Sequence, residues 1–344
     1  MTRVAIERLV AELSLVRIAG GSAVALPASP GRVLGEIDRV AGPTRIEAFE
    51  LPPIGDAPLA QPRLHIAACG AGPGWRGADM LVRSDAGGGW TVAGRARLAS
   101  VIGTLDGVPA PACAGLVDRS SAIDVVLAHD GMVLGDADDA ALDAGANAAL
   151  IGDELVQFAR AEPLGGARWR LSGLWRGRRG SEAAMAGQGP GTRFVLLDPR
   201  ALLTVDLAPE AIGGVAEVSA SGVGDAEPAL ASAAVTGRSV APPSPVHPRI
   251  AALPGGDLAI GWTRRSRAGW AWRDTVDAPL GEEREAYRLT ITRGDGAARN
   301  VDLGAPGWTY PAAALAEDRS VGAVTLSIVQ IGTHAPSAPL TLTI

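Results

Sequence analysis

Short apolar segments with a two-residue alternation, separated by glycine and proline, run through most of this sequence. The alternation is clear at Ile123, Val125 and Leu127, and it recurs in the segment 155–159. Successive side chains of a strand point to opposite faces, so this period, with turn signals about every 8–12 residues, predicts antiparallel β structure. The 45 glycines and 25 prolines among the 344 residues supply those turns. No β-α-β rhythm recurs, which argues against a doubly wound α/β fold.

The first residues follow a different pattern. In the segment 5–17, apolar side chains at Ile6, Leu9, Val10 and Leu13 have mostly helical spacing. This is the best helix candidate in the chain, although a pair of strands fits the same residues. The sequence leaves both interpretations open.

Domain boundaries follow from changes in composition. Residues 221–248 are rich in alanine, serine and proline, and 241–245 (APPSP) are typical of a stiff polyproline spacer. We therefore predict an N-terminal segment over 1–60, a central β domain over 61–220, a linker over 221–248 and a separate module over 249–344.

The last module has the spacing of a β-sandwich of about 100 residues. Trp262 ends an early apolar segment, Tyr287 opens a second, and residues 321–331 (VGAVTLSIVQI) are the clearest strand pattern in the chain. An early tryptophan, a tyrosine-bearing strand and a proline-rich entry resemble a fibronectin type III module. The predicted fold class is mainly β, with one or more antiparallel β domains followed by a C-terminal fibronectin type III-like β-sandwich.

Charge and hydropathy exclude several classes of protein. The net charge is −6, all 31 positive charges are arginine, and no overall basic footprint for nucleic acid exists. No apolar stretch approaches the 18 or more residues typical of a membrane-spanning helix. The opening MTRVAIERLV lacks the apolar region of a signal peptide. With two cysteines, Cys69 and Cys113, the chain is no disulfide scaffold, and the sequence leaves their pairing open.

No motif for metal, cofactor or catalysis stands out. The acidic run 135–139 lacks the glycine and the final carboxylate of a calcium loop, and a Walker loop needs the lysine that this chain lacks. No Gly-x-Ser-x-Gly nucleophile motif is present. The histidines are scattered without a second ligand at zinc-site spacing: His65, His129, His247 and His334. We therefore predict no catalytic residue, no metal ligand and no cofactor.

Tryptophan and arginine cluster near the C-terminus. The four tryptophans of this cluster are Trp262, Trp270, Trp272 and Trp308. Core packing is the interpretation favoured for Trp262, whereas Trp270 and Trp272 are candidates for a protein interface or for stacking on a glycan. Arg264 and Arg265 could bind an anion, but the acidic residues that follow favour local ion pairs.

The segment 147–182 contains the most specific pattern, an acidic strand start followed by Arg-Gly-x-x-Gly-Ser-Glu. Gly177 and Gly180 stand where a turn needs positive φ or close approach of the backbone. We predict that Arg176 pairs with Glu154 or with Glu182 and holds the strand end against the turn. The alternative is an exposed basic turn that binds a polyanionic glycan.

Three stretches together, 74–84 (GWRGADMLVRS), 147–182 and 262–287, resemble the C-terminal part of the large tail-hub (megatron-like) proteins of phages and gene transfer agents. The resemblance covers most of residues 60–310. Its most specific elements are the Arg-Gly-x-x-Gly-Ser-Glu motif and the segment Pro-Leu-Gly-Glu-Glu.

This resemblance implies a structural, non-enzymatic role at a phage-like tail tip or baseplate hub, in tail assembly and host-envelope contact. It implies a homotrimer in the assembled particle, with other tail or baseplate proteins and a host cell-surface glycan as partners. It also implies a virion-tail location after synthesis in the bacterial cytoplasm. The alternatives are a carbohydrate-binding or cell-wall-degrading enzyme module, which needs convergent carboxylates, and a secreted adhesin, which needs an export signal.

Overall fold

The computed structural model describes residues 3–7, 10–14, 41–55, 57–84, 88–268 and 277–344. They belong to two compact units, Met1–Asp38 and Arg39–Ile344. In the smaller unit, β1 (Arg3–Glu7) and β2 (Val10–Ser14) form an antiparallel pair. The strand-pair interpretation of this segment is therefore correct and the helix interpretation is wrong. A lone helix of this length is marginal in water, whereas two paired strands satisfy each other's backbone groups.

The larger unit is built almost entirely from antiparallel strands. Its strands up to residue 234 are β3 (Thr44–Glu50), β4 (Arg63–Gly70), β5 (Ala78–Arg83), β6 (Thr91–Ala96), β7 (Ile102–Leu105), β8 (Val117–Leu127), β9 (Ala148–Ile151), β10 (Glu154–Gly165), β11 (Arg168–Trp175), β12 (Arg193–Leu196), β13 (Leu202–Asp206), β14 (Val215–Gly222) and β15 (Ala229–Ala234). The remaining strands are β16 (Val246–Ala252), β17 (Leu258–Thr263), β18 (Tyr287–Thr292), β19 (Ala298–Leu303), β20 (Gly307–Tyr310), β21 (Thr325–Gln330) and β22 (Leu340–Thr343). Its two α-helices among the described residues are α1 (Asp139–Asp143) and α2 (Ala312–Arg319).

The first module is a two-sheet sandwich made from two separate parts of the chain. One sheet has the order β13-β4-β3 and the other β15-β14-β5-β6. Both contribute to one apolar core, including Ile66 of β4, Met80 of β5 and Val218 of β14, each almost fully buried. Its first sheet is complete only after β13 pairs with β4, for example at Asp206 and Arg63, and β13 comes about 100 residues after β6 in the chain.

The second module is a closed six-stranded barrel inserted into that sandwich between β6 and β13. Its strand order is β10-β11-β8-β7-β12-β9, and every neighbouring pair is antiparallel. The alternating residues Ile123, Val125 and Leu127 of β8 point into its core, together with Phe158 and Phe194. Closure leaves the barrel without an unpaired sheet edge.

The third module is a seven-stranded sandwich at the C-terminus. Its sheets have the orders β16-β17-β20 and β19-β18-β21-β22, the three-plus-four arrangement of a fibronectin type III module. Trp262 and Tyr287 meet edge to face in the core, with ring centroids 5.2 Å apart. The predicted mainly β class with a C-terminal sandwich is confirmed.

The domain boundaries differ from those predicted. Residues 1–60 include β3, which pairs along its whole length with β4, and residues 221–248 include β15, which pairs with β14. The sequence of β15, ALASAA, lacks the β-branched and aromatic residues that mark a strand. It is a strand because β14 offers a row of unpaired backbone groups. The prediction of a linker over 221–248 and of a central domain over 61–220 is therefore corrected.

The proline tract 241–245 is packed rather than extended through solvent. Pro242 and Pro243 are buried, and Pro242 contacts Gly332 of the C-terminal module. A second contact joins the C-terminal module to the first sandwich, since Arg267 pairs with Glu282 at 2.7 Å and donates a hydrogen bond to the carbonyl of Leu59 at 2.6 Å. The tract therefore joins packed modules and does not act as a spacer.

Candidate functional site

A buried ion pair lies at one end of the barrel, where β10 begins and β11 ends. Arg176 follows β11 directly, and Glu154 is the first residue of β10. Their side chains are 1% and 0% exposed. A charge pair in such a place is stable only when each polar atom has a partner, so its surroundings decide its role.

The carboxylate of Glu154 has four hydrogen-bond donors. Arg176 donates from Nε to Oε1 at 2.7 Å and from Nη2 to Oε2 at 2.8 Å, a bidentate fork. The backbone N–H of Gly177 donates to Oε1 at 2.7 Å, and Nε2 of Gln188 donates to Oε2 at 2.8 Å. The remaining nitrogen, Nη1 of Arg176, donates to the carbonyl of Ala110 at 3.3 Å. The pair thus fixes β10, the turn after β11 and the loop before β8 to one point.

The turn after the ion pair requires its glycines. Gly177 and Gly180 have φ values of 58° and 84°, in the left-handed region. A Cβ on Gly177 would lie 2.8 Å from Cα of Glu182, and one on Gly180 would lie 2.8 Å from Cβ of Pro243. Both glycines therefore permit a backbone conformation and a close approach that no other residue allows without displacement.

Three polar residues that the sequence did not single out complete this network. Oγ of Ser181 accepts from the backbone N–H of Leu155 at 2.8 Å, and Oε1 of Gln157 accepts from Nε of Arg178 at 2.9 Å. Gln188 is the third. The signal for Ser181 was present, because it lies inside the Arg-Gly-x-x-Gly-Ser-Glu pattern. Gln157 and Gln188 carry no local signal, since their burial follows from barrel closure.

The other predicted residues lie apart from the buried pair. Glu182 forms its ion pair with Nη2 of Arg265 at 2.6 Å and not with Arg176, whose partner is Glu154. Arg265 also donates from Nε to the carbonyl of Ser244 at 2.6 Å. Arg264 pairs with Asp277 at 2.6 Å. Arg264 thus pairs with one of the acidic residues that follow it, whereas the expectation of a local partner is wrong for Arg265, because Glu182 lies 83 positions earlier in the chain. Trp270 and Trp272 lie outside the described residues.

An open cleft of about 1130 Å³ separates the Arg-Gly turn from the C-terminal module. Arg178 lies on its barrel side with its guanidinium 4.7 Å from the ring centroid of Trp175. Burial lowers the pKa of Arg178, and the nearby carboxylate of Asp143 opposes that shift. The carboxylates lining the cleft are Asp143 and Glu182, and Glu182 is held by Arg265.

An exposed apolar loop borders the same cleft. Residues 108–117, VPAPACAGLV, which end with the first residue of β8, contain no charged, hydroxyl or amide side chain. Val108 and Leu116 are 76% and 71% exposed. Ala114 packs against Gly177, so the buried pair and the Arg-Gly turn together support this loop.

The described residues limit the chemistry of this region. Among residues 3–7, 10–14, 41–55, 57–84, 88–268 and 277–344, no group of three His, Cys, Asp or Glu side chains could hold a metal ion. None of the helices in those ranges is both long and apolar enough to cross a bilayer. The fold and this site define a β protein of packed modules, in which a buried polar cluster supports a surface loop and a module junction.

Comparison with known families gives a match to one module. Residues 100–195 match the family described as Rcc01698-like, C-terminal, and these residues coincide with the inserted barrel. No curated protein matches the chain. Among solved structures, the chain is similar to the FN1–FN3 domains of chicken CNTN1, with 10% identity over 88% of this chain and 97% of that one. The TM-score is 0.21, too low to indicate a shared overall architecture.

Proposed function

We propose that this chain is a structural component of a phage-like tail tip or baseplate hub of the gene transfer agent type, without chemistry of its own. The observation that carries this proposal is the family match over residues 100–195. That match contains the whole segment 147–182, which carries one of the two most specific elements of the resemblance to tail-hub proteins. The barrel, the buried pair and the family match therefore concern the same module.

The way in which the modules are joined supports a structural role. Glu50 of the first sandwich accepts hydrogen bonds from Thr236, Gly237 and Ser239, which lie just before the proline tract. Arg238 reaches the barrel and donates to the carbonyl of Asp153 at 2.8 Å. The contacts of Glu50 with Gly237 and Ser239 are buried and fix the segment that leaves the first sandwich, and the exposed contact of Arg238 ties the same segment to the barrel. A component that holds its neighbours in a fixed arrangement needs such joints.

The proposed partners are other tail or baseplate proteins and a host cell-surface glycan, and the proposed assembled form is a homotrimer in the virion tail. The test uses particles released by cells that encode the chain. We expect an epitope-tagged chain to sediment with the particles and immunogold to label one end of the tail. Cells lacking the gene should release particles with an incomplete tip. A chain found only in the fractions without particles would contradict the proposal.

A further inference from the structure

A cavity of about 540 Å³ lies against the sheet β13-β4-β3 of the first sandwich, where the chain leaves the barrel. Its lining is mainly apolar and includes Leu51, Pro52, Pro53, Leu59, Leu197 and Leu202. Pockets that hold small molecules measure about 300–1,000 Å³ and combine apolar walls with a few polar groups. The size and the lining of this cavity therefore fit a small molecule.

The walls of the cavity are formed by rigid segments. Leu51, Pro52 and Pro53 follow β3 and are buried, and Pro199 lies on the other side, between β12 and β13. Each proline ring fixes its own φ angle, which restricts the backbone of both segments. A cavity with such walls exists before a ligand arrives, so binding needs little ordering of the protein.

One polar side chain in the lining has an unused nitrogen. His65 of β4 is 6% exposed, and its Nδ1 atom has no hydrogen-bond partner among the residues that the structure describes. Most buried polar groups in proteins have a partner, and those without one often serve a ligand. The imidazole of His65 is therefore the group on which a ligand in this cavity can be oriented.

The position of His65 is fixed by the strands on either side of it. Phe49 of β3 and Thr204 of β13 are its direct partners in the pairing, so the three side chains share one face of the sheet. Phe49 stacks on the imidazole with ring centroids 5.9 Å apart and an angle of 6° between the planes. Thr204 is exposed and lines the cavity beside His65, so it stands at the entrance.

The other polar groups of the lining are engaged within the protein. Arg63, the charged side chain of the described lining, donates to both carboxylate oxygens of Asp206, at 2.6 and 3.0 Å. Oγ of Ser239 donates to Glu50 at 2.5 Å and accepts from the backbone N–H of Arg63 at 3.0 Å. These groups leave no charge to attract an ionised ligand.

His65 itself is uncharged at neutral pH. Burial lowers its pKa to about 4, the charge of Arg63 acts in the same direction, and the backbone of Arg63 opposes the shift only in part. A neutral imidazole has one N–H donor and one acceptor nitrogen. A hydroxyl group can donate or accept, so it matches the imidazole whichever nitrogen carries the proton.

We propose that this cavity binds a small, uncharged and mainly apolar molecule whose single hydroxyl group forms a hydrogen bond with the imidazole of His65. This proposal goes beyond the tail-tip assignment, because it concerns a ligand of the isolated protein. Particle sedimentation tests the assignment and ligand titration tests the cavity, so either can fail alone.

The experiment is titration of the purified full chain with 1-naphthol at pH 7.5, followed by the fluorescence of the probe. Two related probes are titrated in parallel: 1-methylnaphthalene, in which a methyl group replaces the hydroxyl, and the anion 1-naphthoate. We expect saturable binding of both uncharged probes and no saturable binding of 1-naphthoate, because a carboxylate would lose its hydration without gaining a partner.

The variant His65→Phe tests the hydrogen bond. It keeps an aromatic ring beside Phe49 and removes both nitrogens. We expect the affinity for 1-naphthol to fall about tenfold, the value of one hydrogen bond, and that for 1-methylnaphthalene to stay the same. Comparing both probes on both proteins separates the hydrogen bond from the apolar contact. An equal change for the two probes would overturn the proposal.

A second variant tests the location without altering a buried residue. Thr204→Phe fills the entrance and should lower the affinity for both uncharged probes at least tenfold, and the exposed position should tolerate the change. Thr309→Phe is the matched control, because Thr309 is an exposed threonine on β20 of the C-terminal module. We expect this control to bind the probes as the unaltered chain does.

Three further results would overturn the proposal. The first is equal binding by Thr204→Phe and Thr309→Phe, which would place the probes elsewhere. The second is the absence of saturable binding by the unaltered chain. The third is a change of self-association in sedimentation of Thr204→Phe with probe binding unchanged, which would identify this region as a contact between copies.

Discussion

Glu182 and Arg265 join the barrel to the C-terminal module through an ion pair of 2.6 Å between residues 83 positions apart in the chain. Arg265 also holds the carbonyl of Ser244, so the proline tract is fixed at the same point. Gly180 lies against Pro243 on the barrel side of this junction. The orientation of the last module thus depends on the turn that also carries the buried pair.

Arg265→Ala should loosen this junction without unfolding either module. The pair is partly exposed, so we expect a loss of about 1 kcal/mol in docking free energy and about fivefold faster proteolysis within residues 241–245. Limited proteolysis followed by mass spectrometry measures this rate. Arg264→Ala is the matched control, because its partner Asp277 is 85% exposed. Equal rates for the two variants would argue against the role of Arg265.

Arg176→Ala should destabilise the barrel strongly. The variant leaves Glu154 buried without its main partner, for which we expect a cost of about 3–5 kcal/mol. Hydrogen exchange of barrel amides measures this loss separately from the other modules. Arg170→Ala is the control, because it removes only the exposed ion pair with Asp124. We expect no measurable change in the hydrogen exchange of its barrel amides. Unchanged exchange in Arg176→Ala would show that the buried pair does not stabilise the barrel.

Gly180→Ala should cost more than Gly187→Ala. The two glycines have similar φ values, 84° and 81°, so both variants carry the same backbone strain. A Cβ at Gly180 also meets Pro243 at 2.8 Å, whereas one at Gly187 has no atom within 4 Å. We expect only Gly180→Ala to increase cleavage at the proline tract beyond the effect of strain. Equal cleavage rates in the two variants would show that glycine is required at position 180 for the turn conformation and not for the contact with Pro243.

Stability should fall on acidification through His65. Burial lowers the pKa of His65 from 6.5 to about 4, so the folded state favours the neutral imidazole. The unfolded chain then binds the extra proton first, and the stability present above pH 6.5 is lost as the pH falls towards 4, by about 3 kcal/mol in total.

Thermal unfolding across this pH range tests the effect. His65 stacks on Phe49 with ring centroids 5.9 Å apart, so His65→Phe preserves an aromatic contact and removes the titration. We expect a flatter pH dependence in this variant. Low protein concentration is needed, because the isoelectric point of about 5.3 lies within the window. A pH dependence identical to that of the unaltered chain would exclude His65 as its source.

Local sequence patterns predicted the structure correctly where residues close together in the chain determine it. The alternation at Ile123, Val125 and Leu127 predicted both a strand and its buried face. The glycines of the Arg-Gly turn were identified because positive φ is a local property. The apolar spacing in residues 5–17 favoured a helix, although a pair of strands fits the same positions. The pairing of β1 with β2 shows that the strand interpretation is the correct one.

Local sequence patterns could not predict ion pairs, strand pairings or module boundaries that depend on residues far apart in the chain. The sequence offers Glu154 and Glu182 equally as partners of Arg176. The structure distinguishes them, because Glu154 is buried beside Arg176 at the end of the barrel. The strand β15 exists through its pairing with β14, not through its composition. The insertion of the barrel into the first sandwich follows from the pairing of β4 with β13, whose residues Arg63 and Asp206 are 143 positions apart.

The sequence by itself determined that this protein is made of antiparallel strands, that its last module is a sandwich and that an Arg-Gly turn follows β11. These are consequences of side-chain period and backbone freedom, which act over a few residues. Tertiary structure alone decided that Arg176 takes Glu154 and leaves Glu182 to Arg265, and that the loop 108–117 is held exposed beside them. The physical reason is that burial and ion pairing depend on which distant strands close the barrel.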